Sequence, residues 1–454
     1  MPVASAGPIR KGCRVSEMRS GHGARGGWFP PALLVVLFVY FWIGLGPFPD
    51  PNASGLLEAF GSSSNLLNQI VVIGLSLLVV VVLVNHPARA LVLRSYGVLA
   101  VIFCWLLFTA LFSDVPGVAF RRIVYTMLVC LCASSLLLMP RDSDEFGRLM
   151  GACVLGAVLL SMLGVIAIPR LAIHQGSDAL EQQLAGAWRG HFGHKNVAAG
   201  AMVFAVFVGI FVMKTRSFWW GAFTIAVSIV FLLNSGGKTA ASMLPVVLIA
   251  SWLFERGGPL RGLFLVGALG VMNYLLLSAA VSRETQDLLI SFGIDPTFTD
   301  RASVWQLALG AVAERPILGR GFQSFWQMDS LVYGEGAESS WAVTAANAHN
   351  GYLEQLINGG VPLLLLVVIW LVLLPSYHAG LAFRRGLHPE LTRLFVRCWL
   401  FMLFLSCLES FIFANGGPIW FTMLLAVFGL RMLAYGNLTG GGYSAGETRI
   451  SSAP

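Results

Sequence analysis

The sequence predicts an all-α integral membrane protein: about twelve transmembrane helices and one large outside loop that contains a lateral amphipathic helix. Three observations lead there. Of 454 residues, 57% are hydrophobic and only 11% charged, against roughly 25% charged in a soluble domain. Apolar runs of bilayer length, about 17 to 25 residues, recur along the whole chain. Lys and Arg then alternate between segments as the positive-inside rule requires. The net charge of +7 therefore reads as membrane topology. No basic run with interleaved aromatics points to nucleic acid, so the bilayer is the expected partner.

Residues 1–28 are basic and Gly-rich and read as a disordered cytoplasmic tail. The apolar run from Ala32 to Leu45 follows a tail too long for a signal peptide, and no small-x-small site follows closely. It reads as an uncleaved first span. Nine spans fill 29–281, at about 29–46, 66–84, 92–112, 121–139, 149–168, 196–213, 217–233, 239–254 and 262–281. Three more fill 351–435, at about 351–374, 394–413 and 416–434. Gly turns at Asn234–Lys238 and Asn415–Pro418 suit helical hairpins. An even number of spans puts both termini in the cytoplasm, the second as a Gly/Ser-rich tail over 436–454.

The loop 282–350 stands apart, because the other loops read as short. It holds eight Asp/Glu against four Arg. Within it, Arg301–Arg315 places Val304, Trp305, Ala308, Leu309 and Val312 at helical spacing. Thr299 or Asp300 can cap its start and Pro316 closes it. This is the lateral helix, lying along the membrane surface or over the bundle.

Of seven cysteines, all but Cys13 fall in apolar runs, so no disulfide framework is expected. Cys130 and Cys132 do not share a helix face, and no metal-ligand spacing occurs.

The charges that break the topology rule are informative. Arg121, Arg122, Arg189, Lys195, Lys238 and Arg301 are basic yet fall on the outside. Any one can snorkel at the interface; six on one face point to a shared anion site. Three sit in two short motifs. Trp188–Asn196 offers Arg189, His191, His194 and Lys195 before the sixth span. Its two histidines at i, i+3 make a weak metal pair, with Gly193 between them and no nearby carboxylate. Arginine forks and a helix start suit phosphate better; Asn196 can equally be the helix cap. Ser235–Thr239 (SGGKT) lacks the spacing of a nucleotide-binding loop, which leaves Lys238 as a phosphate ligand.

His349, at the entrance to the tenth span, can take and return a proton near neutral pH, or can simply hydrogen-bond the helix entry. Asn350 can bind substrate or cap that helix. Glu409 reads as an acid inside the eleventh span, either functional or paired with a basic side chain. Asn52–Ser54 matches a glycosylation sequon by chance.

Four stretches carry a family resemblance: Gly190–Asn196 (GHFGHKN), 300–305 (DRASVW), Glu314–Phe322 (ERPILGRGF) and Asn347–Tyr352 (NAHNGY). In their order, with the large late loop, they resemble the O-antigen ligase and polysaccharide polymerase superfamily, closest to ExoQ-like membrane proteins of exopolysaccharide production. The resemblance runs from the first span to about residue 435. It implies a multi-pass protein of the bacterial inner membrane and a glycosyltransferase acting at its periplasmic face, with no metal and no cofactor. The donor it implies is a glycan on undecaprenyl diphosphate. The acceptor is another lipid-linked repeat in a polymerase, or lipid A core in a ligase. By motif, Arg189 and Arg301 hold the diphosphate and His349 is the base. Lys238 stands where the family often has arginine and lacks its bidentate fork. Arg121 and Arg122 are further substrate contacts, and a flippase and a chain-length regulator are the implied company. A lipid-linked oligosaccharide transporter is the reading from a different class. It calls for charges near the midplane and two related halves, whereas these charges gather at one face.

Overall fold

The computed structural model describes residues 27–50, 52, 66–178, 182–298, 301–326, 342 and 345–436. The regular structure of the described residues is helical, with one isolated antiparallel bridge between Ile173 and Trp188. Thirteen helices matter here. In order they are α1 (Phe29–Trp42), α2 (Leu66–Asn85), α3 (Arg89–Ala110), α4 (Pro116–Leu136), α5 (Ser143–Ala167), α6 (Lys195–Thr215) and α7 (Phe218–Asn234). Then come α8 (Lys238–Arg256), α9 (Arg261–Ala279), α10 (Arg301–Glu314), α11 (Gly351–Arg385), α12 (Pro389–Leu405) and α13 (Pro418–Tyr435).

Among the described residues, nine helices are long and apolar enough to cross a membrane. The shorter α1 and α7 are apolar too; α12 carries Glu390, Arg393 and Arg397 near its start, and a total of twelve rests on counting all three. The interior is made by α6, α12 and α13, whose side chains are buried almost all round, while α2, α8 and α9 show broad apolar faces outward. That inversion suits a protein solvated by lipid.

Short-range chemistry sets the helix ends. Asp142 Oδ1 accepts from Glu145 N at 2.7 Å and opens α5. Ser217 Oγ accepts from Trp220 N and opens α7. Helices α6 and α7 then form a close hairpin. A methyl group on Gly221 would fall 2.4 Å from Met213 N, so only glycine lets these backbones touch.

Four sequence readings change. The connection 168–194 is a second long loop, folded back on itself through the Ile173–Trp188 bridge. The span at 351 does not stop near 374: it runs to Arg385 through a π-helical turn at Ile369–Leu373, and Gly386 at φ 64° ends it. It is also broken near its start, where Gly359 and Gly360 leave helical geometry. Finally, α12 ends at Leu405. Glu409 therefore lies in the turn before α13, not inside a span. A helix forms at Arg301–Glu314, where the lateral helix was expected, and buries Val304, Trp305, Ala308 and Ala311. Its expected caps, Thr299 and Asp300, lie outside the described residues.

Candidate functional site

The entrance to α11 is built before any catalytic question arises. Asn350 Oδ1 accepts from Tyr352 N (3.0 Å) and Leu353 N (2.9 Å), and so caps the helix. Its Nδ2 donates to Cys407 O (2.9 Å) and Asn273 Oδ1 (2.8 Å). Asn350 is fully buried, and its side chain is committed to structure. Gly351 N donates to Ser406 O at 2.7 Å, and Asn350 N to Ser410 Oγ at 3.1 Å. The turn after α12 is thus bound to the start of α11.

The residue before His349 is fixed as tightly. Ala348 N donates to Glu354 Oε2 at 2.8 Å, and Trp305 Nε1, from the lateral helix, donates to Ala348 O at 2.9 Å. Glu354 also accepts from Trp326 Nε1. Between these two anchored neighbours His349 sits at φ 47°. That left-handed conformation is uncommon outside glycine, and it persists where the surroundings over-determine it.

Glu409 is the centre of the cluster. Its Oε1 lies 2.6 Å from Arg301 Nη2 and accepts from Asn196 Nδ2 at 2.9 Å. Its Oε2 lies 3.5 Å from His349 Nδ1. The carboxylate is only 8% exposed and the imidazole 25%. Burial by itself raises the Glu409 pKa. The His349 hydrogen bond and the charges of Arg301, His349 and His194 outweigh it and hold the carboxyl below the usual range.

Of the residues singled out in the sequence, the fold thus joins His349 and Arg301, with His194 close by. His194 is the cap of α6: its Nδ1 accepts from Asn196 N at 3.0 Å. Asn196, read as the cap, is freed to reach Glu409. Lys195 Nζ lies against the turn before Lys238, 3.8 Å from where a methyl on Gly236 would sit. Lys238, exposed, opens α8 directly after that turn.

Four other candidates stand elsewhere. Arg189 is 1% exposed. Its Nε donates to Leu171 O at 2.9 Å, and its Nη1 lies 3.5 Å from Asp178 Oδ2, so it pins the 168–194 loop. His191 is buried between Ser161 Oγ (2.7 Å) and Trp42 O (2.9 Å). Burial pushes its pKa down to about 4, which keeps it neutral. Arg122 donates to Gln323 O and ties the late loop to α4, while exposed Arg121 turns back to Gly117 O.

Beside the 411–418 turn opens a cleft of about 470 Å³, lined in part by Tyr40, Trp42, Asn68, His191, Phe411 and Asn415. Among the described residues no three His, Cys, Asp or Glu side chains are grouped to hold a metal. What the cluster can do is acid–base chemistry on a neutral hydroxyl next to fixed positive charge.

Sequence reasoning weighed Glu409 but left it out of the site, and it gave Asn196 a different task. The signal for Glu409 was a lone carboxylate in an apolar stretch; its partner Arg301 is 108 positions away. Residues 193–368 match a family model described as O-antigen ligase. That match spans Lys195, Asn196, Lys238, Arg301 and His349, and leaves Arg189 and Glu409 outside. Among curated proteins none matches the chain.

Proposed function

We propose that this chain, whose residues 193–368 match an O-antigen ligase family model, is a membrane glycosyltransferase that polymerises undecaprenyl-diphosphate-linked repeats at the periplasmic face. The observation that supports this most is the Arg301–Glu409–His349 chain, assembled from three separate elements beside further cations. Glu409 holds Nδ1 of the imidazole, so Nε2 is the nitrogen that takes the proton. The acceptor hydroxyl oxygen attacks the donor's anomeric carbon. The bond from that carbon to the phosphate oxygen breaks, and its electron pair leaves with undecaprenyl diphosphate. The hydroxyl proton passes to His349. One displacement inverts the anomeric centre.

Charge grows on the diphosphate as the bond breaks. Arg301, Lys195 and Lys238 supply fixed positive charge near that leaving group. Arg189, buried against Asp178, acts in this reading by holding the 168–194 loop. Arg122 acts in this reading by keeping the late loop in place against α4, with Arg121 beside it. A flippase and a chain-length regulator would supply substrate and set product length.

The second reading, a ligase, is favoured by the family description itself. It uses the same cluster with lipid A core as acceptor. Purified protein mixed with undecaprenyl-diphosphate repeats and EDTA separates these. A product ladder supports the metal-independent polymerase. Transfer only after lipid A core is added supports the ligase. Neither product, from folded protein that moves labelled substrate across liposomes, would overturn both readings in favour of transport.

A further inference from the structure

The end of the bundle away from His349 holds a second polar cavity. Helices α6, α8 and α12 each reach it with the end opposite the candidate site. On α6, Lys214 follows Asn196 by about five turns, which is about 27 Å. The cavity encloses about 670 Å³. Lys214, Arg256, Arg393 and Arg397 line it, with Glu255 as the acid in the wall.

These cations are only partly used within the protein. Arg393 forks onto Glu255, at 2.6 and 2.9 Å, and also reaches Glu390 at 2.5 Å. Lys214 Nζ lies 3.6 Å from Glu390 Oε2. Arg256 lies over the Trp252 ring, 4.1 Å from its centre, and its Nη1 donates to Trp252 O at 3.4 Å. Arg397 Nε and Nη1 are buried and have no hydrogen-bond partner among the described residues. Buried donors of a charged group are costly to leave unsatisfied. Two carboxylates therefore face four cations, one of them with buried unused donors.

The rim is different in kind. Trp252 is 53% exposed, and on the same flank Ile249 and Leu253 also face outward. Polar donors inside and an apolar flank outside describe an amphiphile with an anionic head. We propose that this cavity binds the phosphate headgroup of an anionic bilayer lipid, with Arg397 as its principal donor and the acyl chains lying along α8. Basic pockets between spans suit such headgroups, and guanidinium forks match phosphate oxygens. Free phosphate would use the same donors but not the apolar flank.

The test uses the purified full-length protein in detergent and native mass spectrometry. Phosphatidylglycerol, phosphatidylcholine and inorganic phosphate are added separately and in competition. The wild type is expected to retain phosphatidylglycerol and not phosphatidylcholine, with inorganic phosphate a poor competitor. Arg397→Gln and Lys214→Gln should each weaken retention about fivefold, the scale of one lost surface charge. Lys214→Gln decides the matter if Arg397→Gln does not fold. Equal retention of the two lipids, or wild-type retention by the folded variants, would overturn the proposal. Displacement of phosphatidylglycerol by an equal concentration of inorganic phosphate would also overturn it, and would assign the cavity to a soluble anion.

Discussion

Arg301 Nη2 lies 2.6 Å from Glu409 Oε1. The contact joins the first residue of the lateral helix to the turn between the last two helices. Both partners are shielded, at 16% and 8% exposed, so the pair is not a screened surface bridge. It places a cation and a carboxylate beside His349, whose backbone is already fixed by its neighbours.

Replacing His349 with Ala removes the proposed base. Turnover should fall by roughly 10²–10⁴, the usual worth of general base catalysis, while the protein stays folded in the membrane. Glu409→Gln keeps the shape and loses the charge. Its turnover should fall on the order of tenfold or more, the scale of one charge-assisted hydrogen bond. Normal product from a well-expressed His349→Ala variant would sink the site assignment.

His191 makes stability depend on pH. Its folded pKa of about 4 lies below the unfolded value of about 6.5, so the unfolded chain binds the extra proton between them. Stability is then full above the unfolded value and is lost as pH falls towards the folded one. The loss is on the order of 3 kcal/mol. Thermal melts of wild type and His191→Gln should diverge above pH 6 and converge towards pH 4. A constant gap across that window would show that His191 does not titrate this way.

Trp305→Phe keeps most of the ring volume and removes the donor to Ala348 O. We expect a folded protein with reduced turnover, because the segment before His349 loses one of its two anchors. Trp305→Ala should cost about 3–5 kcal/mol, through the cavity left under the lateral helix. Unchanged turnover in Trp305→Phe would show that the lateral helix does not position His349.

Arg189→Gln separates a loop anchor from a direct substrate contact. Leaving Asp178 buried without its cation should cost about 3–5 kcal/mol and expose the 168–194 loop to proteolysis. A direct contact predicts the reverse: lost activity with unchanged melting and unchanged cleavage.

The helices were legible because a bilayer demands long apolar runs, and the polar segment before His349 interrupts them plainly. The lateral helix was legible from the spacing of Val304, Trp305 and Ala308. Glu409 was misplaced because Phe411, Ile412 and Phe413 extend the apolar run past Leu405. Hydropathy cannot register that the chain has turned there. Asn196 and His194 exchanged roles because both types accept hydrogen bonds from a helix start, and only the Glu409 contact tells them apart. Arg189 and Arg301 look alike in sequence; a buried Asp178 beside one and Glu409 with His349 beside the other give them different work.

The break at Gly359–Gly360 has a mechanical consequence. Arg320 N donates to Ile357 O at 2.7 Å, and Val361 N donates to Pro316 O at 2.9 Å. Trp105 Nε1, from α3, donates to Gly359 O at 2.8 Å. A methyl on Gly360 would fall 2.1 Å from Ile317 O, so the loop backbone runs directly over the gap. The polar groups that the helix gives up are taken by its neighbours. This interruption is a seam rather than a hinge: the first turns of α11, which follow His349, are sewn to the chain leaving α10.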